Sequence, residues 1–318
     1  MLARWQRRFV LFTLAAMAAW LAWRWPASPA QAVLGALLPP VIFMLVLATQ
    51  FVLMQGANRA DPVPLAGWMQ VLAAWWAEVR VALAVFAWRQ PFRHGAVPDW
   101  LPEQPTGRRG VVLVHGFMCN RGFWLPWLGR LRALGHAHVA VNLEPVMGSI
   151  DDYAAIIDTA VARVTQATGR PPVLLCHSMG GLAARVWLRD CGDRTSEGGE
   201  KGGEPRVHRV LTLGTPHGGT WLGRFSSAVN GRQMRLQGRW VQALAQAEPT
   251  ARAALFTCWY SNCDNIVFPA STAALPGADN RFVEGLAHVQ MAFDHVVMQD
   301  CLDAIGREDP PVREANLK

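Results

Sequence analysis

From Gly110 onward, short apolar runs alternate with longer stretches of helical periodicity, and this rhythm restricts the possible architectures more than any single residue does. The runs Val111 to Val114, Ala137 to Leu143, Pro172 to Cys176, Val207 to Leu213, Ala254 to Tyr260 and Asn280 to Glu284 read as strands. Between them, Phe123 to Leu134, Ile150 to Thr168 and Gly180 to Asp190 read as helices. Neighbouring parallel strands need a crossover long enough to hold a helix, whereas antiparallel ones are joined by tight turns. The alternation therefore predicts an α/β fold with a mostly parallel central sheet flanked by helices. In such sheets the chemistry gathers just past the carboxyl ends of the strands.

One of those ends stands out. In Pro172-Val-Leu-Leu-Cys-His-Ser-Met-Gly-Gly181 an apolar strand runs straight into Ser178, and two glycines follow as a helix begins. A serine held on so sharp a strand-to-helix turn adopts strained backbone angles, and bulky residues two positions away on either side would clash. Gly180 meets that demand on one side. Cys176 stands on the other, small but not glycine. A serine that merely caps a helix would not need this context.

A serine hydroxyl attacks only when a base removes its proton. The base should be a histidine held by a carboxylate, each following a later strand in the order serine, acid, histidine. Asp264 follows the Ala254 to Tyr260 strand in Ser-Asn-Cys-Asp-Asn-Ile-Val-Phe-Pro, and His288 follows the Asn280 to Glu284 strand in Gly-Leu-Ala-His-Val-Gln-Met. His295 sits in a helical pattern, where a surface or packing role is expected, and Asp300 and Glu284 are weaker acid candidates. The developing oxyanion needs donors. The backbone N–H of Met179 is one, and that of Phe117, at the sharp turn in Val114-His-Gly-Phe117, is the other. His115 and His217 read as histidines that brace loops. No His/Asp cluster at ligand spacing supports a metal, and no cofactor is expected. Segment 221–248 is either a cap over an acyl-binding cleft or a plain amphipathic helix with its arginines in water.

These motifs resemble the α/β-hydrolase family, and within it bacterial lipases and related esterases. Val-His-Gly-Phe at 114–117, Cys-His-Ser-Met-Gly-Gly at 176–181, Gly-Thr-Pro-His-Gly-Gly at 214–219, Asp-Asn-Ile-Val-Phe-Pro at 264–269 and the histidine at 288 occur in the family's order. The resemblance implies a serine nucleophile and an acyl-enzyme, hence a carboxylic ester hydrolase acting on lipid-like or small acyl esters. It departs from the family at Cys176, where a glycine is usual, and in Gly-Leu-Ala-His, where Gly-His is usual. An acyltransferase or thioesterase with the same triad, and an inert membrane-bound binding protein, are the alternatives.

The N-terminal third falls outside the resemblance. Hydrophobic residues make up 52% of the 318 and charged ones only 17%, and most of the surplus precedes Arg93. Phe9 to Trp23 is an uncharged stretch of 15 residues and Ala32 to Gln55 one of 24, interrupted by Pro39-Pro40. Two transmembrane helices, at about 9–24 and 32–55, are expected. A signal peptide cut after Ala30-Gln31-Ala32 is the rival, which Arg24 and Trp25 fit poorly. Segment 65–88 is periodic but carries Glu78 and Arg80 in its middle, which argues against spanning. It reads as an amphipathic helix, seated either among headgroups or on its own domain. The domains expected are thus a membrane region at 1–92, a linker at 93–109, a catalytic domain at 110–305 and a polar tail at 306–318, with a surface loop at 194–205.

Arginines before the first apolar segment and after the second place both ends in the cytoplasm, so a bacterial-type inner membrane with a cytoplasmic catalytic domain is expected. The net charge of +7 comes from scattered arginines, with only Lys201 and Lys318 as lysines, and no nucleic-acid-binding pattern accompanies it. No obligate protein partner is inferred. The six cysteines form no disulfide framework and read as reduced thiols, except that Cys258 and Cys263 are close enough to bridge in an oxidising compartment.

Overall fold

The computed structural model describes residues 1–192 and 206–307, so the loop expected at 194–205 and nearly all of the tail lie outside the described residues. Three helices come first: α1 (Leu2–Arg24), α2 (Pro29–Asn58) and α3 (Trp68–Ala82), the last continuing through a π-helical turn, Leu83–Arg89. Ser28 caps α2, its hydroxyl accepting from the Gln31 N–H, and Pro29 occupies the first turn, where no N–H is needed. The elements β1 (Val111–Val114), α4 (Leu125–Ala133), β2 (His138–Ala140), α5 (Ala154–Thr168), β3 (Val173–His177), α6 (Met179–Cys191) and β4 (Arg209–Leu213) follow. The chain ends in α7 (Arg239–Ala247), β5 (Phe256–Tyr260), β6 (Asp279–Phe282), α8 (His288–Met291) and α9 (His295–Gly306).

The six strands of the described residues are all parallel, in the order β2-β1-β3-β4-β5-β6. This is the α/β fold expected from the alternation, with Leu113 opposite Leu175 and Leu175 opposite Leu211 in register. Strands covered on both faces read as continuous apolar runs, and β1 and β3 are buried at every position. The edge strand β6 instead exposes Asp279 and Asn280, charge and polarity that discourage pairing with another chain. Several strands are shorter than their apolar runs. Pro172, without an N–H, stays outside β3, and Ala254 and Leu255 belong to a 3-10 turn.

Two cores lie on opposite faces of the sheet. One packs α5 and α6 against Val112, Leu174 and Val210, and the other packs α4 and α9 against Leu113, Leu175 and Leu211. In a third cluster Phe51 and Met54 of α2 and Ala74 of α3 meet Cys263, Phe268 and Ala287. The N-terminal helices thus pack on the loops that follow β5 and β6. Away from them, Phe9 and Phe12 of α1 and Leu34, Leu45 and Val52 of α2 stay exposed. Pro29–Asn58 and Trp68–Phe92 are each long and apolar enough to cross a bilayer, but Glu78 of α3 is buried against α8. That contact places α3 on the domain that carries the sheet, one of the two positions its sequence allowed.

The segment 221–248 forms short helical turns and α7, whose Val241 and Leu244 are buried. Arg185 of α6 is fully buried and donates through Nε to both oxygens of Glu248, just past α7, at 3.0 Å, and through Nη1 to the His217 carbonyl at 3.1 Å. Removing one partner of such a pair leaves an uncompensated charge. Arg185→Met is expected to lower stability by about 3–5 kcal/mol, read from the guanidinium midpoint in detergent. Arg185→Met with Glu248→Leu should recover most of the loss. Cys258 and Cys263 are both unbridged thiols.

Candidate active site

Ser178 links β3 directly to α6 with φ 54° and ψ −129°, a left-handed φ that non-glycine residues rarely adopt. Its neighbours hold it there. The Ser178 N–H donates to the Leu213 carbonyl at 2.9 Å, and the Ser178 carbonyl accepts from Thr215 Oγ1 at 2.8 Å. A Cβ at Gly180 would lie 2.4 Å from the Val114 carbonyl oxygen, so only glycine lets the start of α6 close on the end of β1. Cys176, fully buried within β3, fits where the family usually has glycine.

Asp264 and His288, 24 residues apart, converge from the loops after β5 and β6. His288 Nδ1 lies 2.9 Å from Asp264 Oδ2, while Asp264 Oδ1 accepts from the Ile266 and Val267 N–H groups at 2.9 and 2.8 Å. Both side chains are buried. Burial disfavours a charged ring, yet the Asp264 carboxylate, through charge and hydrogen bond, and then Glu78 outweigh it. The His288 pKa therefore lies above the ordinary imidazole value. Gly214, at φ 57°, makes the convergence possible, since a Cβ there would sit 2.8 Å from Asp264 Oδ2 and 3.1 Å from His288 Nδ1.

The residue before Ser178 touches His288 directly. The His177 ring lies 4.6 Å from that of His288, centroid to centroid, and His177 Nε2 is 3.2 Å from the His288 carbonyl oxygen. Burial, and after it the nearby His288 charge, push the His177 pKa well below the ordinary value, so its ring serves as a neutral donor. No hydrogen bond joins the Ser178 hydroxyl to the His288 ring among the described residues. In empty catalytic sites this contact is often long and tightens only with substrate. The Phe117 N–H, at the turn after β1, has no backbone acceptor among the described residues.

The other candidates lie elsewhere. His115 Nδ1 is 2.9 Å from the Gly116 carbonyl, and His115 Nε2 accepts from the Leu143 N–H at 3.1 Å, bracing the ends of two strands. His217 pairs with Thr212 Oγ1 at 3.2 Å. His295 is exposed at the start of α9, Asp300 lies within α9, and Glu284 lies past β6, where it accepts from Gln70. Sequence reasoning missed Asn265, whose Oδ1 accepts from the His288 N–H at 3.2 Å and whose Nδ2 donates to Gln50 of α2 at 2.8 Å. It also missed the part His177 and Glu78 take in the site. Only the adjacency of His177 to Ser178 hinted at any of them.

Residues 111–315 match the Alpha/beta hydrolase family. No curated protein matches the chain. Among solved structures, Bacillus licheniformis lipase BlEst2 in mature form superposes with a TM-score of 0.54 at 16% identity, over 66% of this chain and 96% of its own. Aspergillus fumigatus lipase B superposes with a TM-score of 0.53 at 15% identity, over 67% of this chain and 56% of its own. At such identities these likenesses speak for the fold. The parallel six-stranded sheet, the serine turn after β3 and the family match over about two thirds of the length agree, and the chain belongs to the alpha/beta hydrolase family.

Proposed function

We propose that the protein is a membrane-anchored serine hydrolase that cleaves carboxylic esters of lipid-like acyl chains through an acyl-enzyme. The observation that carries this reading is the buried Asp264–His288 pair beside a serine held at positive φ on a strand-to-helix turn. Ser178 Oγ attacks the ester carbonyl as its proton passes to His288 Nε2, and Asp264 stabilises the resulting imidazolium. The N–H groups of Phe117 and Met179 receive the oxyanion. His288 then protonates the departing alcohol, and a water molecule activated by the same ring releases the acid and frees Ser178.

The solved neighbours are lipases by name, which supports an ester substrate, and the apolar helices support a lipid-like one. In this reading residues 1–92 are the membrane region, with α1 and α2 as a spanning hairpin in a bacterial inner membrane. The arginines at 4, 7, 8 and 59 keep the hydrolase domain, 110–305, on the cytoplasmic side.

A fluorophosphonate probe tests the proposal on the full chain in isolated membranes. Wild type is expected to take one label, to keep it in the pellet through an alkaline carbonate wash, and to release free acid from p-nitrophenyl esters. Ser178→Ala should take none. A folded wild type that is neither labelled nor active would refute the enzyme, and transfer of the acyl group to added alcohols in place of acid release would make it an acyltransferase.

A further inference from the structure

An acidic residue in the middle of an apolar helix is costly unless something receives it. Glu78 lies in α3, outside the part of the chain that matches the hydrolase family, yet it is only 1% exposed. Its Oε1 accepts from the Val289 N–H at 3.0 Å. Its Oε2 accepts from the same N–H at 3.1 Å and from the Gln290 N–H at 2.9 Å. Those amides directly follow His288, in the first turn of α8, where backbone N–H groups have no partner within the helix. The carboxylate therefore crosses 211 residues of sequence to fasten the peptide segment that carries the histidine. Gln70, two turns earlier on α3, donates to Glu284 at 2.7 Å and ties the same helix to the start of the same loop.

We propose that Glu78 is a positioning residue for His288, and that α3 is thereby a working part of the hydrolase site as well as a flank of its anchor. Through the backbone of Val289 and Gln290, Glu78 sets where the imidazole stands relative to Ser178, and its charge adds to that of Asp264 in favouring the protonated ring. The titratable groups facing His288 are Asp264 from the loop after β5, Glu78 from α3 and His177 from the end of β3, with His115 behind them at the end of β1. Burial raises the Glu78 pKa to about 7, against the two amides and His288, which lower it. Its charge is thus present over the upper part of the range in which His288 must become neutral to act as a base. This inference rests on the proposed triad.

The test uses the full chain in detergent. Glu78→Gln keeps the shape and one acceptor oxygen but removes the charge, and Glu78→Asp keeps the charge but withdraws it from the amides. Misplacing a catalytic group by about 1 Å costs up to about a hundredfold. For Glu78→Gln, kcat on a short p-nitrophenyl ester should fall by about ten- to a hundredfold with KM little changed. The acid limb of its kcat/KM profile should move to lower pH, because the ring has lost one of its two supporting carboxylates. Glu78→Asp, whose carboxylate no longer reaches the two amides, should show at least as large a fall in kcat with a smaller movement of the acid limb, and its kcat is judged in place of Glu78→Gln if the latter does not fold. Wild-type kcat in the folded variant, or a fall in kcat of Glu78→Gln with its acid limb unmoved, would overturn the role. NMR titration of the His288 ring reads the same shift without turnover, and fluorophosphonate labelling of wild type reports separately whether the hydrolase reading itself stands.

Discussion

Replacing His288 by alanine is expected to lower kcat by about a million-fold while leaving KM for a short ester within a few-fold of wild type. The size reflects the arrangement. In the proposed mechanism His288 alone takes the Ser178 proton: His177 beside Ser178 is held neutral by burial and already engaged with the His288 carbonyl, and His295 is exposed at the start of α9. Ser178→Ala should cost a similar factor. The double variant should be no worse than either single one, because nucleophile and base act as a unit. Initial rates on p-nitrophenyl butyrate, with the enzyme concentration fixed by circular dichroism of the folded protein, decide the matter. Additive losses, or a His288→Ala enzyme within a hundredfold of wild type, would mean that another group serves as base.

Asp264→Asn is expected to reduce kcat by about ten-thousandfold with little effect on folding. Asparagine can keep the bonds to the Ile266 and Val267 amides, but it removes the charge that favours the imidazolium and the acceptor that fixes which ring nitrogen bears the proton. The pH dependence has a definite sign. The base form of His288 is neutral, so kcat/KM rises with pH through the ring's pKa, and in wild type the midpoint should lie above the ordinary 6.5. In Asp264→Asn burial is opposed only by Glu78, and the midpoint should fall. An Asn variant whose midpoint matches wild type would remove Asp264 from the site.

The alternation of apolar runs already contained the sheet, because strands covered on both faces are filled mostly with apolar residues. The elbow at 176–181 was equally legible, since its glycine answers a steric demand between neighbours in sequence. Asp264 and His288 were singled out by the order of the strands and the loops that leave them, and the structure brings their side chains within hydrogen-bond distance. The contacts that escaped are those that only tertiary packing creates. Glu78 announced that its helix should not span a bilayer but not which amides it serves. Gln50 and Asn265, 215 positions apart, carry no mutual signal at all. Gly214 was legible as a turn, though the reason no side chain fits there lies in two groups far along the chain.

The end of α2 has a consequence for how this protein can be altered. Asn58 donates to the Asn262 carbonyl and accepts from the Ala270 N–H, and Asp61, just beyond the helix, takes the Ser271 amide and hydroxyl. Asn262, Ala270 and Ser271, all in the β5–β6 connection, have polar groups completed from the far end of the chain. Exchanging everything up to Asp61 for an unrelated tether would strand those groups without mates next to the acid loop. The N-terminal helices and the hydrolase domain therefore complete one another, and a graft that respects only hydrophobic length would yield a poorly assembled protein.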